Sequence, residues 1–346
     1  MVRGHHAREP HPGGFTINKS IMHRFILFLF LFALLLPCLS GCEKNKETVL
    51  IYTSSEDFKI EYMTEVLSER FPEYDIVIEY ISTGNHAAKL LSEGKDTDCD
   101  ITHNLEYTYL SQLDEKGYLA DLSGYDKSIY CDDTVESQNY IVEIRSSGAV
   151  ILNLDVLARK NLPEPTSYQD LLDPMYKNLI SMPNPKSSST GYIFLKSLVN
   201  AWGEEKALQY FDALSENVLQ FTTSGSGPVN ALIQEEVAIG LGMLAQGVRE
   251  INNGSNLKLV FFEEGAPFTL AGQAIIKGKE TRPAVKEVFD FLINEYNYMN
   301  NEKFFPEKIY KDKDYTVENY PAYIPYANMQ DNTDAAKRAL LDKWVH

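Results

Sequence analysis

Short apolar runs alternate with longer stretches of helical spacing along almost the whole chain, and this alternation restricts the fold more than any other feature. VLIYT (49–53) precedes FKIEYMTEVLSERF, in which Phe58, Met63, Val66 and Leu67 fall near one helical face. DIVIEYI (75–81) precedes HAAKLLSEG, and DITHN (100–104) precedes EYTYLSQLDEKGYL. Strand followed by helix, repeated, is the pattern of an α/β domain with a mainly parallel sheet. A second set opens at GAVILNLDVL (148–157) and continues through NLISMP, a helix from about Gly191 to Trp202, a helix near Glu204 to Ser215, VLQFT, a helix from Pro228, VAIGLGM and LKLVFF. TLAGQAIIKG (269–278) is a further strand, and RPAVKEVFDFLINEY is an amphipathic helix with Pro283 near its first turn. With 346 residues, 44% of them hydrophobic, the chain can bury two cores, so two lobes are expected. The last fifty residues, rich in Tyr and punctuated by Pro, read as C-terminal packing.

The N-terminus stands apart from this pattern. HRFILFLFLFALLLPCLSGC offers a basic start at His23 and Arg24, an apolar run from Phe25 to Leu36 and then small residues. Such a run is too short to span a bilayer comfortably and has the form of a signal peptide. Leu39-Ser40-Gly41-Cys42 resembles the lipobox of bacterial lipoproteins, which implies lipidation of the Cys42 thiol and cleavage before it. The polar stretch before Met22 fits no signal peptide, so Met22 is the expected start, residues 1–41 the leader and 42–47 a polar tether.

Residues 1–41 carry a net charge of +3, which leaves −20 of the total −17 on the remainder. A chain this acidic is not built for nucleic acid, whose phosphates require clustered Lys and Arg. A ring of N–H and hydroxyl donors can still hold one small anion within a negative protein. Of four cysteines, Cys38 leaves with the leader and Cys42 takes the lipid; Cys99 and Cys131 have no metal-type spacing, and their pairing is open. No HExxH, CxxC or GxSxG motif occurs, the histidines are few and scattered, and SSSTG lacks the GK[ST] of a nucleotide-binding loop. No catalysis, metal or cofactor is expected.

Hydroxyl side chains recur at four strand-to-helix turns. These are Thr53-Ser54-Ser55, Ser82-Thr83-Gly84, Ser187-Ser188-Ser189-Thr190-Gly191 and Thr222-Thr223-Ser224-Gly225-Ser226-Gly227. One Ser or Thr suffices to cap a helix, so the surplus invites a second use. In an open parallel sheet these turns share the carboxyl edge of the strands, where such folds bind ligands, and helix N-termini there favour anions. Two turns come from each half of the chain, so two lobes face one small anion.

The run TSYQDLLDPMYKNLISMPNPKSSSTGYIFL, the following FTTSGSGPVNALIQEEVAIGLG, and LIYTSSED, DCDITHNLEYTYLSQLDEKGYLADL and EEGAPFTLAGQAIIKG together resemble the family 1 extracellular solute-binding proteins of ABC importers. The branch includes binders of iron, of 2-aminoethylphosphonate and of hexose phosphates. The resemblance implies a type II periplasmic-binding-protein fold, α/β, with two lobes of mainly parallel sheet joined by hinge strands near Gly148–Asn153 and Phe268–Gly272. Lobe 1 is then expected over 48–147, lobe 2 over 148–268, and a return to lobe 1 with C-terminal helices over 269–346. It also implies a monomer on the outer face of the cytoplasmic membrane or in the periplasm, a permease and ATPase as partners, and no enzymatic activity.

The expected donors are Ser54, Ser55, Ser82, Thr83, Gly84, Ser188, Ser189, Thr190, Gly191, Ser224, Gly225 and Ser226. Asn104 and Glu106 follow the third strand, Glu106 as partner for a ligand ammonium, and Gln246 offers an amide. His86 lies one turn into its helix, exposed to solvent or facing the anion. Ferric binders of the branch resemble one another in an adjacent Tyr pair near the segment that here reads GLGMLAQGVRE; this chain has 21 Tyr and no Tyr-Tyr dipeptide. A phosphorylated or phosphonate anion is therefore the first expectation, with ferric iron, or presentation of a ligand to a signalling partner, as the alternatives.

Overall fold

The computed structural model describes residues 46–135 and 137–346, so the leader, Cys42 and the tether up to residue 45 lie outside the described residues. Residues Glu47–His346 form one compact unit. Its first three strands, β1 (Glu47–Thr53), β2 (Tyr74–Tyr80) and β3 (Ile101–Glu106), run parallel, and α1 (Asp57–Arg70), α2 (Thr83–Glu93) and α3 (Tyr107–Glu115) follow them in turn. β1 lies between the other two and buries Val49, Ile51, Tyr52 and Thr53; a strand covered on both faces needs apolar residues at successive positions, which is why VLIYT hardly alternates. β2 is the edge strand, and none of its residues is fully buried.

β4 (Ile141–Asn153) is thirteen residues long and leads through α4 (Leu154–Lys160) into the second set. That set comprises β5 (Ile180–Pro183), α5 (Ser189–Trp202), α6 (Glu204–Ser215), β6 (Val218–Thr222), α7 (Gly227–Ile233), β7 (Ile239–Met243), α8 (Leu244–Asn252) and β8 (Leu257–Val260). β9 (Phe268–Ile275), α9 (Pro283–Phe291), α10 (Asn297–Phe304) and α11 (Asp334–Lys343) complete the chain. Strands neighbour one another in the order β2-β1-β3-β9-β4-β7-β5-β6, with β8 also on β4. Pairing is parallel within β1–β3 and within β5–β7 and antiparallel wherever β4 or β9 takes part, so the parallel character resides in the two outer parts.

β4 serves both halves. Ile141 to Ser147 pair with β9, and Gly148 to Leu152 pair with β7. The second crossing runs beside it, with the Gly148 N–H donating to the Pro267 carbonyl at 2.7 Å. One core gathers Val49, Ile51, Met63, Leu67, Val285 and Phe289, and another gathers Tyr168, Ile180, Phe194, Leu198, Phe211 and Leu214. Each such side chain contributes about 1.5–3 kcal/mol through burial. Cys99 is buried and Cys131 partly so, and both thiols are free. Among the described residues no helix is long and apolar enough to cross a membrane.

The end of the chain, whose place the sequence leaves open, packs on the second core. Leu340 and Trp344 lie in the same core as Phe211, so α11 is anchored in the second lobe. From there Lys337 reaches back to form a buried ion pair with Glu106 at the end of β3. The C-terminal helix thus touches both halves.

Candidate ligand cleft

Each of the four hydroxyl turns follows a strand, β1, β2, β5 or β6, and precedes a helix. In parallel strands these junctions share one edge. Three of the helices begin without side-chain capping: Ser82, Ser188 and Ser226 hold the N-cap positions of α2, α5 and α7, and none of the three side chains accepts a cap hydrogen bond. Side-chain capping is rare in this chain: Asn153 accepts from the Val156 N–H and Thr333 from the Ala336 N–H, while the helices that start after Glu106, Gly203, Met243 and Arg282 have none. The hydroxyls at the cleft are thus not spent as caps.

The four turns meet. Ser54, Glu56, Tyr80, Ser82 and Thr83 from the first half, and Ser187, Ser188, Ser189, Thr190, Ser224 and Gly225 from the second, line one cavity. The halves are closed on one another, leaving about 20 Å³ between them, little more than one water. Gly84 N–H donates to the Ser187 carbonyl at 3.2 Å across the cleft, and the Tyr80 phenol reaches Ser224. Within the second half, Gly225 lets two turns approach closely, since a Cβ there would lie 2.6 Å from Thr190 Oγ1. Ser226 supports its turn through Ser224, the two Oγ atoms 2.9 Å apart.

A buried polar network fixes the first turn from below. Thr53 Oγ1 donates to Ser55 Oγ at 3.0 Å, receives the Ser55 N–H at 3.1 Å, and lies 3.0 Å from His103 Nδ1. His103 Nε2 stands 2.9 Å from Glu143 Oε2, and Lys59 Nζ stands 3.6 Å from Oε1. Burial acts against the ionised form of Glu143, yet His103 and Lys59 hold its carboxyl below the usual range. His86 is fully buried rather than exposed, with Nδ1 2.9 Å from Ser54 Oγ and Nε2 3.1 Å from Thr102 Oγ1. Burial, with a smaller contribution from His103, pushes its pKa down to about 3, so the ring is neutral and orients the Ser54 hydroxyl.

Several expected residues lie away from the cavity. Glu106, offered as partner for a ligand ammonium, is saturated by Lys337, Thr108 and Thr269 Oγ1 at 3.3 Å. Asn104 belongs to the buried network; with its amide oriented to suit its neighbours, it donates to Glu143 Oε1 at 3.1 Å and accepts from Ser55 Oγ at 2.9 Å. Gln246 donates to Asn230 Oδ1 at 3.0 Å and braces the α7 turn from behind. Gly191 packs beneath the site, where a Cβ would lie 2.3 Å from the Pro183 carbonyl oxygen, and Ser55 is fully buried under Ser54.

Three lining residues were not among the expected donors: Ser187, which belongs to a turn already singled out, and Glu56 and Tyr80, which the sequence reading did not mark. Glu56 directly follows Ser54-Ser55 at the N-cap of α1, and the question of which charged residue adjoins the hydroxyl cluster would have found it. Burial raises its pKa, with Lys59 opposing, and its Oε2 atom has no hydrogen-bond partner among the described residues. Among the described residues no Lys, Arg or His lines the cavity. Among the described residues no group of three or more His, Cys, Asp or Glu is placed to hold a metal ion. The arrangement supplies uncharged donors, helix N-termini and one carboxylate.

Comparison with known proteins gives the geometry its context. The sequence model of the bacterial extracellular solute-binding proteins matches residues 101–329. An uncharacterised protein of Haemophilus influenzae is 27% identical over 333 residues, covering 88% of this chain and 92% of that one. Among solved structures, the periplasmic binding protein AfuA of Actinobacillus pleuropneumoniae, with exogenous fructose 6-phosphate bound, aligns with a TM-score of 0.77 at 21% identity, over 87% of this chain and 98% of its own. Iron-bound HitA of Pseudomonas aeruginosa aligns with a TM-score of 0.66 at 17% identity, over 86% and 100%. At these identities the structural likeness is one of fold.

Proposed function

Given that the chain belongs to the bacterial extracellular solute-binding proteins, a family of binders that deliver solutes for import rather than enzymes, we propose that it captures a small phosphorylated or phosphonate anion between its lobes and hands it to an ABC permease. The observation that carries this reading is the meeting of four hydroxyl turns in one cleft, two of them at the uncapped starts of α2 and α5, with no Lys, Arg or His lining it among the described residues. Free N–H groups at helix N-termini and hydroxyl donors suit a tetrahedral oxyanion. The fructose 6-phosphate bound to AfuA is a ligand of this class on the same fold. Iron, as in HitA, calls for hard oxygen ligands. The junction of β7 and α8 here carries Met243, Leu244, Ala245 and Gln246, which argues against it.

The test is a thermal-shift series against phosphate, phosphonates, sugar phosphates and Fe(III). A ligand at a hundred times its Kd stabilises by about 2.7 kcal/mol. Stabilisation by at least one phosphorylated or phosphonate compound and none by Fe(III) supports the reading; the reverse pattern rejects it. The lipid anchor belongs to the same proposal: Cys42→Ala should release the protein from the membrane fraction or stall its processing, and normal cleavage with retention on the membrane would remove it.

A further inference from the structure

The change of partners in β4 coincides with a buried carboxyl that belongs to neither crossing strand. Ser147 is the last residue of β4 to pair with β9, opposite Phe268, and Gly148 is the first to pair with β7, opposite Met243. Ser147 Oγ donates to Glu307 Oε2 at 2.6 Å, and both residues are buried. Two further hydroxyls converge on the same carboxyl: Tyr320 donates to Oε1 at 2.8 Å and Tyr326 to Oε2 at 2.9 Å. Glu307 thus receives one donor from the hinge strand and two from the Tyr-rich segment that follows α10. None of these four residues lines the ligand cavity.

The segment is a third crossing between the halves. At its start Phe305 packs with Ile144 and Ala271, before the switch in β4. Further on, Val317, Tyr320 and Ile324 pack on the cluster of Ala149, Val229 and Leu244, beyond it. Tyr326 then returns to the hinge strands, its ring meeting that of Phe268 edge to face at 5.0 Å, with the Arg145 guanidinium 5.2 Å from the one ring and 5.5 Å from the other. Tyr326 also lines two clefts, of about 620 and 510 Å³, so close packing does not hold the segment on every side. The hydrogen bonds to Glu307 make the connection instead, and a buried carboxyl deprived of its donors is costly. A rotation of the halves about Ser147 and Gly148 moves the Ser147 hydroxyl relative to that of Tyr320, because each is packed with a different half.

We propose that Glu307 is a positioning residue for closure: it clasps the hinge strand to the third crossing when the lobes are together, and so sets the fraction of time they spend closed. It touches no ligand. Apparent affinity scales with that fraction whichever solute is bound.

Hydrogen exchange at the Gly84 amide of the purified protein tests this without a ligand. Gly84 lies in the first turn of α2, where an N–H has no acceptor within its own helix, and it donates across the cleft to the Ser187 carbonyl. Its protection therefore reads closure, whereas the amides of β1, the strand between β2 and β3, read global opening. Ser147→Ala removes the donor on the hinge strand, and Tyr320→Phe removes a donor on the third crossing while keeping its ring. In both variants Gly84 protection should fall at least threefold, with the β1 amides unchanged. Unchanged protection of Gly84 in either variant overturns the proposal. So does an equal fall at the β1 amides, which would make the hydroxyls supports of the whole fold. A wild-type Gly84 that exchanges as freely as an unstructured amide also overturns it, since the clasp would then not hold the lobes together. Each of these results leaves the anion reading standing.

Discussion

Gly84 and Lys186 meet backbone to backbone across the cleft: a Cβ on Gly84 would lie 2.2 Å from the Lys186 carbonyl oxygen. The glycine sits in the first turn of α2, a position where Ala ordinarily favours a helix by up to about 1 kcal/mol. Its lack of a side chain serves the closed arrangement instead. Gly84→Ala should therefore disfavour the closed arrangement and weaken ligand binding at least tenfold. Small-angle scattering should show the wild type contracting with ligand and the variant failing to do so. Wild-type affinity in the variant would mean that closure tolerates a methyl group there.

Replacing Ser188, Ser189 and Thr190 together by Ala should cost at least a hundredfold in affinity for the bound anion. A hydrogen bond to a charged group is worth roughly 1.5–3 kcal/mol. Because the Ser188 side chain caps no N–H in α5, the melting temperature should fall by only a few degrees. A large fall in stability with binding preserved would return these hydroxyls to a purely structural role, and calorimetry alongside a melt separates the two.

The pair formed by Lys337 and Glu106 is buried on both sides, and burial lowers the Lys337 pKa against the pull of Glu106. Lys337→Met leaves the carboxylate buried without its cation, a change that costs about 3–5 kcal/mol. At roughly 2–4 °C per kcal/mol, the melting temperature should drop by about 6–20 °C. Adding Glu106→Gln should restore most of it, and a double variant no better than the single would show that Lys337 matters through packing on Tyr109 and Tyr192 instead.

His86 gives stability a pH dependence of known sign. Its folded pKa of about 3 lies below the unfolded value near 6.5, so between these limits the unfolded chain binds the extra proton. Stability from this residue is fully present above pH 6.5 and falls by up to about 1.4 kcal/mol per unit as pH drops toward 3. Urea titrations of the wild type and of His86→Gln should show a shallower acid slope in the variant. Parallel slopes would place the acid sensitivity elsewhere.

The features legible in the sequence were those written locally. VLIYT and DITHN announced strands because each short run is followed by a stretch of helical spacing, and the four hydroxyl turns could be matched because each lies between a strand and a helix. Glu106 and Asn104 were misplaced because their partners are remote in sequence. Lys337 is 231 residues from Glu106, and Glu143 reaches Asn104 only through the sheet. No periodicity records such pairings. Trp344 was likewise unplaceable, since a terminal aromatic residue carries no sign of which core will receive it. Glu56 was missed for a different reason: a Glu opening a helix has an ordinary explanation in the dipole, and only its unsatisfied oxygen distinguishes it.

Because the thirteen residues of β4 are hydrogen-bonded to one half of the molecule up to Ser147 and to the other from Gly148 onward, neither half is complete without the other. A fragment ending at residue 147 would expose the edge of β9's partner and lack β9 itself, which arrives more than a hundred residues later. The halves are therefore not cassettes that recombination can exchange. Divergence toward a new solute has to proceed by point changes in the turns, the residues farthest from this shared strand's obligations.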